Sequence, residues 1–217
     1  LIALERSSTK KIIVFLDFPK NKIDKKIQEQ IIFMLKKQVR LKIVIIKRKK
    51  NYGLAKSLIL GINYMADKFE NFIILEDDII PYQSFFKFIN TNLKKFKNNN
   101  DVEAICSYQF PETHRIVKKK IFTTYNIFFL PWGWGTWSYK WKRFIGSSLS
   151  KNKIKKIKSA NFFKKFYLNN LNSKTTWSSK YALYILANNK TLVYPTSSLV
   201  KNIGFDGSGI NSKITND

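Results

Sequence analysis

The sequence predicts one α/β domain in which a mostly parallel sheet is covered by helices on both faces. Two observations support this: the first half alternates short apolar runs with segments of helical periodicity, and the apolar runs contain few polar residues. Strands that are apolar along their whole length are typical of parallel sheets buried on both faces, and the alternating helices would supply the covering layers. The 217 residues suffice for one such domain with a sizeable core.

The first half is predicted to contain four strands and three helices. Short runs rich in β-branched and aromatic residues indicate the strands, and apolar residues three or four positions apart indicate the helices. Asn51-Tyr52-Gly53 indicates a turn between the second strand and the second helix. The predicted strands are 11–16, 41–46, 72–75 and 101–107, and the helices are marked by Ile27 to Leu35, Leu58 to Phe69 and Phe85 to Phe96.

The second half alternates less regularly. Pro131 begins an aromatic segment that runs to Trp137 and is predicted to be a loop, because glycines separate its rings. Since neither a repeat nor a linker is present, residues 1–217 are predicted to form a single domain. The further predicted elements are a solvated loop or helix edge at 147–160, a helix at 181–187, a strand at 191–194 and a loop from 204 onwards.

Cysteine content and hydropathy bear on the cellular compartment in which the protein works. The single cysteine, Cys106, excludes an internal disulfide, which suits a reducing environment. The apolar runs are far too short to span a bilayer, and no signal-peptide pattern is found. We therefore expect a cytoplasmic protein, working either free or at the inner face of the membrane. The chain starts at Leu1 rather than at a methionine, so we expect a fragment that lacks an N-terminal segment.

The net charge of +26 has two explanations. One is a nucleic-acid or anionic-membrane partner. The other is compositional, because only five of the cations are arginines and because Lys, Asn and Ile are abundant throughout. Proteins that read bases and phosphates favour arginine, and no nucleic-acid motif is found. We therefore expect no specific nucleic-acid partner, whereas weak peripheral contact with an anionic membrane is compatible with the charge.

Three consecutive carboxylates, Glu76-Asp77-Asp78, directly follow the third predicted strand. Ligands of open parallel sheets bind at the carboxyl ends of the strands. Adjacent carboxylates repel one another unless they share a cation, and oxygen ligands select a hard ion such as Mg²⁺ or Mn²⁺, which substrate phosphates also coordinate. The alternative is a solvated acidic turn that caps the following helix. The position after a buried strand favours the metal site.

The segment from Asn51 to Lys56 joins a strand to a helix. Backbone amides at the start of a helix, with a lysine nearby, are suited to the phosphates of a nucleotide. The alternative is a plain turn in which the glycine adopts a positive φ.

The aromatic segment from Trp132 to Trp137 contains three tryptophans and two glycines. Glycines between the rings predict a backbone mobile enough to close over a ligand, and flat aromatic faces suit the apolar faces of sugar rings. The alternative is a hydrophobic segment packed on the sheet.

Five segments occur in order along nearly the whole length of the chain. They are Phe15-Leu16-Asp17-Phe18-Pro19-Lys20, Asn51-Tyr52-Gly53-Leu54-Ala55-Lys56, Leu75-Glu76-Asp77-Asp78, Trp132-Gly133-Trp134-Gly135-Thr136-Trp137 and Asn202-Ile203-Gly204-Phe205-Asp206-Gly207-Ser208-Gly209. Together they resemble the motifs of bacterial GT-A glycosyltransferases related to the N-acetylglucosaminyltransferase I type. The resemblance implies a GT-A (Rossmann-like) fold that lacks its first strand before Leu1. It also implies that residues 1–110 form the nucleotide-sugar-binding half and residues 111–217 the acceptor-side half.

The activity that the resemblance implies is a metal-dependent, inverting transfer of a hexosyl or N-acetylhexosaminyl group. The donor is a nucleotide sugar of the UDP-sugar class, and the acceptor is a surface glycan or its lipid-linked precursor. Asp78 resembles the ligand of Mn²⁺ or Mg²⁺ in a DxD-type motif, Glu76 and Asp77 resemble residues that contact the ribose and donor sugar, and Asp17 resembles the residue that meets the base. The donor-binding candidates are thus Asp17, Asn51, Gly53, Lys56, Glu76 and Asp77, the metal ligand is Asp78, and the acceptor-side candidates are Trp132, Trp134, Trp137 and Trp177.

One departure from the family pattern concerns the catalytic base. The family has an acid just before the tryptophan that Trp177 matches, whereas this chain has Thr175 and Thr176. Asp206 is therefore the candidate base, with Glu112 as the other carboxylate considered. The alternative function is a catalytically impaired domain that binds a nucleotide sugar or a glycan without transferring it.

Overall fold

The computed structural model describes residues 11–109, 123–125, 129–149, 151–155, 157, 165, 168–169 and 177–204. Strands and helices alternate through the first half of the chain. In chain order the elements are β1 (Lys11–Leu16), α1 (Lys22–Lys36), β2 (Lys42–Lys47), α2 (Leu54–Lys68), β3 (Asn71–Ile74), β4 (Ile79–Pro81), α3 (Phe85–Lys95), β5 (Val102–Cys106), β6 (Thr123–Tyr125), β7 (Trp134–Trp137), α4 (Ser138–Ile145), α5 (Lys151–Lys155), α6 (Ser178–Ala187), β8 (Thr191–Tyr194) and β9 (Val200–Asn202).

Every strand and helix predicted in the first half is present, and the α/β class is confirmed. In the second half, β8 has the predicted bounds, α6 begins earlier than predicted, and the polar stretch at 147–160 contains the short helix α5. No helix in the described part of the chain is long and apolar enough to cross a membrane. The single domain at 1–217 and the missing strand before Leu1 stay predictions.

Some strands pair in parallel and others in antiparallel orientation. β1 and β2 form a parallel pair, and β4 and β9 an antiparallel one. The other five strands form a sheet of order β3-β7-β5-β8-β6. In that sheet only β5 and β8 are parallel, so the described sheets are mixed rather than mostly parallel. The cause is chiefly β7, which enters between β3 and β5 in the opposite direction.

The prediction of a mobile loop from Trp132 to Trp137 is wrong for its last four residues. They form β7, and the side chains of Trp134 and Trp137 are fully buried. The glycine between them, Gly135, permits close packing, since a Cβ there would lie 2.7 Å from Cγ2 of Ile89 on α3. The glycine between the aromatic residues is therefore explained by the close packing of α3 against β7. Of the two interpretations of this segment, the hydrophobic segment packed on the sheet is closer to the structure than the mobile loop.

Two hydrophobic clusters lie on opposite faces of the five-stranded sheet. Because side chains alternate along a strand, Trp134 and Trp137 point to opposite faces. Trp134 packs with Trp141 of α4 and Tyr181 of α6, whereas Trp137 packs with Ile89 of α3. Helices therefore cover both faces of this sheet, as predicted.

Candidate functional site

The ends of β3 and β5 meet the start of β7 at one edge of the sheet. β3 ends at Ile74 and leads into Glu76-Asp77-Asp78. Trp134, the first residue of β7, pairs with both Ile74 and Cys106. The turn at Gly133 therefore lies beside the carboxyl ends of β3 and β5, which is where open α/β sheets bind their ligands.

Asp78 directly precedes β4 and lies beside the ribbon of β4 and β9. Its backbone carbonyl accepts a hydrogen bond from the amide of Ile203 at 2.9 Å. Gly204 comes so close to the side chain that a Cβ on this glycine would lie 2.6 Å from Asp78 Oδ2. The other carboxylate oxygen, Oδ1, is buried and has no hydrogen-bond partner among the described residues. A buried charged oxygen without a partner is costly, so this atom indicates a binding site for a ligand.

The surroundings of the acidic segment, Glu76-Asp77-Asp78, disfavour the ionised form of its carboxyl groups. Burial first, and then the charge of Asp77, raise the pKa of the Asp78 carboxyl above its ordinary value. Burial raises the pKa of Glu76 to about 7, with a smaller opposing effect of the hydrogen bond from Trp177 and further repulsion from Asp78 and Asp77. The charges that act on both groups are thus negative, and a cation bound between them would relieve the repulsion.

The donor set fits a hard divalent ion held jointly with a substrate. Among the described residues, no three His, Cys, Asp or Glu side chains form a group that could hold a metal ion by themselves. Mg²⁺ and Mn²⁺ are commonly bound by one or two carboxylates together with substrate phosphates and water. Asp78, whose Oδ1 has no partner in the described part of the chain, is the residue that would hold such an ion.

Trp177 connects the acidic segment to the second half of the chain. Its indole Nε1–H donates a long hydrogen bond of 3.4 Å to Glu76 Oε1. Its ring stacks on Trp134 with the centroids 5.9 Å apart, and only 7% of the residue is exposed. The assignment of Trp134, Trp137 and Trp177 to the acceptor side is therefore corrected: their rings belong to the core, where no sugar can stack on them, and only the N–H of Trp177 reaches the site.

Trp132 differs from those three residues because it is partly exposed. Its ring packs edge-on against Tyr108, with the ring centroids 4.6 Å apart. The hydroxyl of Ser107 fixes the adjoining turn by a hydrogen bond of 2.6 Å to the Gly133 carbonyl. Tyr108 was not predicted as a site residue, although its position two residues after the end of β5 places it near the carboxyl ends of the strands. Trp132 and Tyr108 form the candidate aromatic surface for a sugar.

Asp17, which was predicted to meet the nucleotide base, is bound by the chain itself. Its carboxylate accepts hydrogen bonds from the amides of Tyr52 at 3.0 Å and Gly53 at 2.8 Å. Asn51 donates from Nδ2 to the Phe18 carbonyl at 2.5 Å. The structure thus brings Asp17, Asn51 and Gly53 together. The amides of Tyr52 and Gly53, which precede the first turn of α2, are therefore already paired with Asp17.

A depression of about 310 Å³ lies beside Asp17. The loop after β1, including Phe18, lines it together with Ile27 and Ile31 of α1 and with Asn51. Most of the lining residues are apolar, and Asp17 and Asp24 also contribute to the lining.

Several cations lie near the turn between β2 and α2, among them Lys56 and Arg48. Lys56 is exposed, with Nζ 5.3 Å from the centre of the Tyr52 ring, and is accessible to a phosphate. Arg48, which the sequence analysis did not single out, donates from Nη2 to the Ser57 carbonyl at 3.1 Å, and its amide donates to the Leu16 carbonyl at 2.9 Å. Arg48 thereby ties the end of β2 to β1 and α2. The signal in the sequence that could have identified Arg48 is that it is an arginine in a lysine-rich chain.

The candidate base Asp206 lies outside the described residues, as do Glu112, Thr175 and Thr176. Asp206 follows Gly204 by two positions, and Gly204 abuts the Asp78 carboxylate. The assignment of Asp206 stays a prediction.

The fold is similar to that of a solved structure of GalNAc-T7 with UDP, GalNAc and Mn²⁺. The TM-score is 0.51 at 10% sequence identity, and the match covers 91% of this chain and 38% of that one. This chain therefore corresponds to well under half of that protein's length. No protein-family model matches the sequence, and no curated protein does. At so low an identity the likeness concerns the fold alone, and it confirms the predicted α/β fold of the GT-A glycosyltransferase type.

Proposed function

We propose that the chain is a metal-dependent glycosyltransferase domain that moves a sugar from a nucleotide sugar to a glycan or lipid-linked acceptor. The observation that carries this proposal is Asp78 Oδ1, a buried carboxylate oxygen beyond the carboxyl end of β3 that has no hydrogen-bond partner among the described residues. A structure of similar fold was solved with UDP, GalNAc and Mn²⁺, which supports a UDP-sugar donor and a divalent ion. More specifically, we propose that the chain is an inverting hexosyl- or N-acetylhexosaminyltransferase. It would act in bacterial polysaccharide synthesis, either in the cytoplasm or at the inner face of the membrane.

On the donor side, Asp78 is the residue that would hold a divalent ion such as Mn²⁺ or Mg²⁺. The ion, when bound, supplies positive charge that stabilises the leaving diphosphate. Glu76, oriented by its hydrogen bond from Trp177, and the exposed Asp77 contact the ribose and the donor sugar. Lys56 attracts the phosphates from the start of α2.

On the acceptor side, Trp132 and Tyr108 orient the acceptor sugar by contact with its apolar face. The acceptor hydroxyl gives its proton to the Asp206 carboxylate while its oxygen bonds to the anomeric carbon of the donor. The bond from that carbon to the diphosphate breaks in the same step, and the nucleoside diphosphate leaves with the electron pair. A single displacement of this kind inverts the anomeric centre.

The first test is release of nucleoside diphosphate by the purified chain. We expect UDP release from a UDP-sugar in the presence of Mn²⁺ and an oligosaccharide acceptor, and loss of that release when EDTA removes the ion. A panel of UDP-sugars and acceptors identifies the substrates. If titration calorimetry gave the same UDP affinity with and without Mn²⁺, the metal-dependent donor site would be contradicted.

The second candidate function is sugar-nucleotide binding without transfer, and the threonines at 175 and 176 favour it. Substitution of the candidate base separates the two functions. If Asp206 is the base, Asp206→Asn should lower transfer by about 10²–10⁴-fold and leave the affinity for UDP unchanged. Calorimetry and the UDP-release assay measure the two quantities. Full transfer by Asp206→Asn would eliminate this base, and binding without release for the parent chain would establish the second function.

The close approach of Gly204 to Asp78 gives a further prediction. In Gly204→Ala the new Cβ would press on Asp78 Oδ2, and we expect Mn²⁺-dependent UDP binding to weaken about tenfold or more. Gly146→Ala is the matched control, because its backbone φ is −77° and a Cβ there would lie 3.4 Å from the Lys142 carbonyl oxygen. Equal UDP affinities for the two variants would show that Gly204 does not shape the site.

A further inference from the structure

The helix α1 carries an exposed apolar stripe, two members of which, Ile27 and Ile31, also line the depression beside Asp17. Its members are spaced four, four and three positions apart, so they lie on one face of the helix. The exposed fractions are 71% for Ile23, 50% for Ile27, 36% for Ile31 and 52% for Met34. Only Leu35 of this helix is fully buried. Single exposed apolar residues are ordinary, but a continuous stripe indicates an interaction surface.

Positive charge accompanies this stripe. Glu29 is the only exposed acidic residue of α1, because Asp24 is half-buried and accepts a hydrogen bond from the Lys20 amide. Near the C-terminus, Nζ of Lys37 lies 4.3 Å from the centre of the Phe33 ring. The exposed lysines at and beside the helix are Lys22, Lys25, Lys26, Lys36 and Lys37.

We propose that α1 is a docking surface for an anionic lipid bilayer. A helix with an apolar stripe and a lysine-rich face lies in the plane of the membrane, with the apolar side chains at the boundary between head groups and acyl chains. The lysines are attracted to the negative surface of the leaflet, as is the chain as a whole with its net charge of +26. The proposal is independent of the transferase activity, because binding of vesicles requires neither donor nor acceptor.

The charge argues against two other occupants of this stripe, a second copy of the chain and a nucleic acid. A second copy of the chain would bring two lysine-rich helices together, and their repulsion opposes such a dimer. A nucleic acid would pair with the lysines but would leave Ile23 and Met34 in water. A bilayer satisfies both features at once, because the stripe enters the apolar boundary while the lysines stay at the head groups.

The test is co-sedimentation of the full chain with vesicles of phosphatidylcholine alone and with vesicles containing about a third phosphatidylglycerol. We expect binding to the anionic vesicles only. Substitution of Lys22, Lys25 and Lys26 by glutamine should weaken that binding on the order of 10²-fold. The matched control replaces three exposed lysines elsewhere and should have a much smaller effect, since charges beyond the screening length contribute little. The control lysines are Lys87, Lys94 and Lys180.

The apolar contribution is tested by a second pair of variants. Ile23→Gln with Met34→Gln should weaken vesicle binding about tenfold or more. Ile80→Gln with Ile145→Gln, at two exposed positions outside α1, should leave it unchanged. Thermal melting checks that all variants fold.

Three results would overturn the proposal. The first is no binding to anionic vesicles, and the second is equal losses in the α1 and control variants, which would leave net charge as the sole cause. The third is a dimer of the parent chain in analytical ultracentrifugation that Ile23→Gln with Met34→Gln dissociates. That outcome would assign the stripe to a second copy.

Discussion

Asp78→Asn is expected to abolish the Mn²⁺ dependence of UDP binding and to lower transfer by about 10²–10³-fold. The amide keeps the size of the side chain but removes the charge that would hold the ion. In the absence of metal, the variant should be at least as stable as the parent, because burial and the neighbouring Asp77 already disfavour the charged carboxylate and raise its pKa. Calorimetry with UDP, and thermal melting with and without Mn²⁺, measure the two effects.

The control for this variant is Asp67→Asn. Asp67 is an exposed carboxylate on α2 that pairs with Lys142 at 2.8 Å, and such surface pairs contribute little to stability. Asp67→Asn should therefore bind UDP and Mn²⁺ as the parent does. Retention of Mn²⁺-dependent binding by Asp78→Asn would refute the assignment of the metal ligand, and so would an equal loss in both variants.

Trp134→Ala is expected to lower the free energy of unfolding by about 3–5 kcal/mol. The indole is fully buried, and its ring centroid lies 5.1 Å from that of Phe129 and 5.6 Å from that of Tyr181. Alanine would leave a large cavity between the sheet and α6, which the surrounding rings can fill only in part. Urea unfolding followed by far-UV circular dichroism measures the loss.

Trp132→Ala is the matched control, two positions away in the same segment. Its ring is partly exposed, so we expect a clearly smaller loss of stability, together with a raised KM for the acceptor and an unchanged affinity for UDP. A loss of stability as large as that of Trp134→Ala would place both rings in the core and leave Tyr108 as the candidate sugar contact.

The first half of the fold was predictable because its signals are local. Strands such as β1 and β2 are short apolar runs, and the helices between them show regular spacing, so each element is visible within its own window of sequence. The acidic segment was predictable for the same reason, since it directly follows β3. The strands β4 and β9 have three residues each and are too short to show a period.

The role of β7 depends on packing that no local pattern contains. Gly135 suggested mobility, whereas its actual function is to let α3 approach the sheet. The hydrogen bond between Trp177 and Glu76 joins residues 101 positions apart. Likewise, the carboxylate of Asp17 pairs with the amides of Tyr52 and Gly53, which lie 35 and 36 positions away in the sequence. Each of these corrections concerns a long-range contact, which is the information that spacing alone lacks.

The burial of Trp134, Trp141 and Trp177 in one cluster has a spectroscopic consequence. Their ring centroids lie 5.9 to 6.5 Å apart, so excitation absorbed by one indole passes to the others before it is emitted. Because Trp177 donates to Glu76, a ligand that displaces this hydrogen bond changes the emission of the whole cluster. Intrinsic fluorescence of the unlabelled chain therefore reports on the acidic segment, and Trp177→Phe, which keeps an aromatic ring but removes the N–H, is the variant that silences this response.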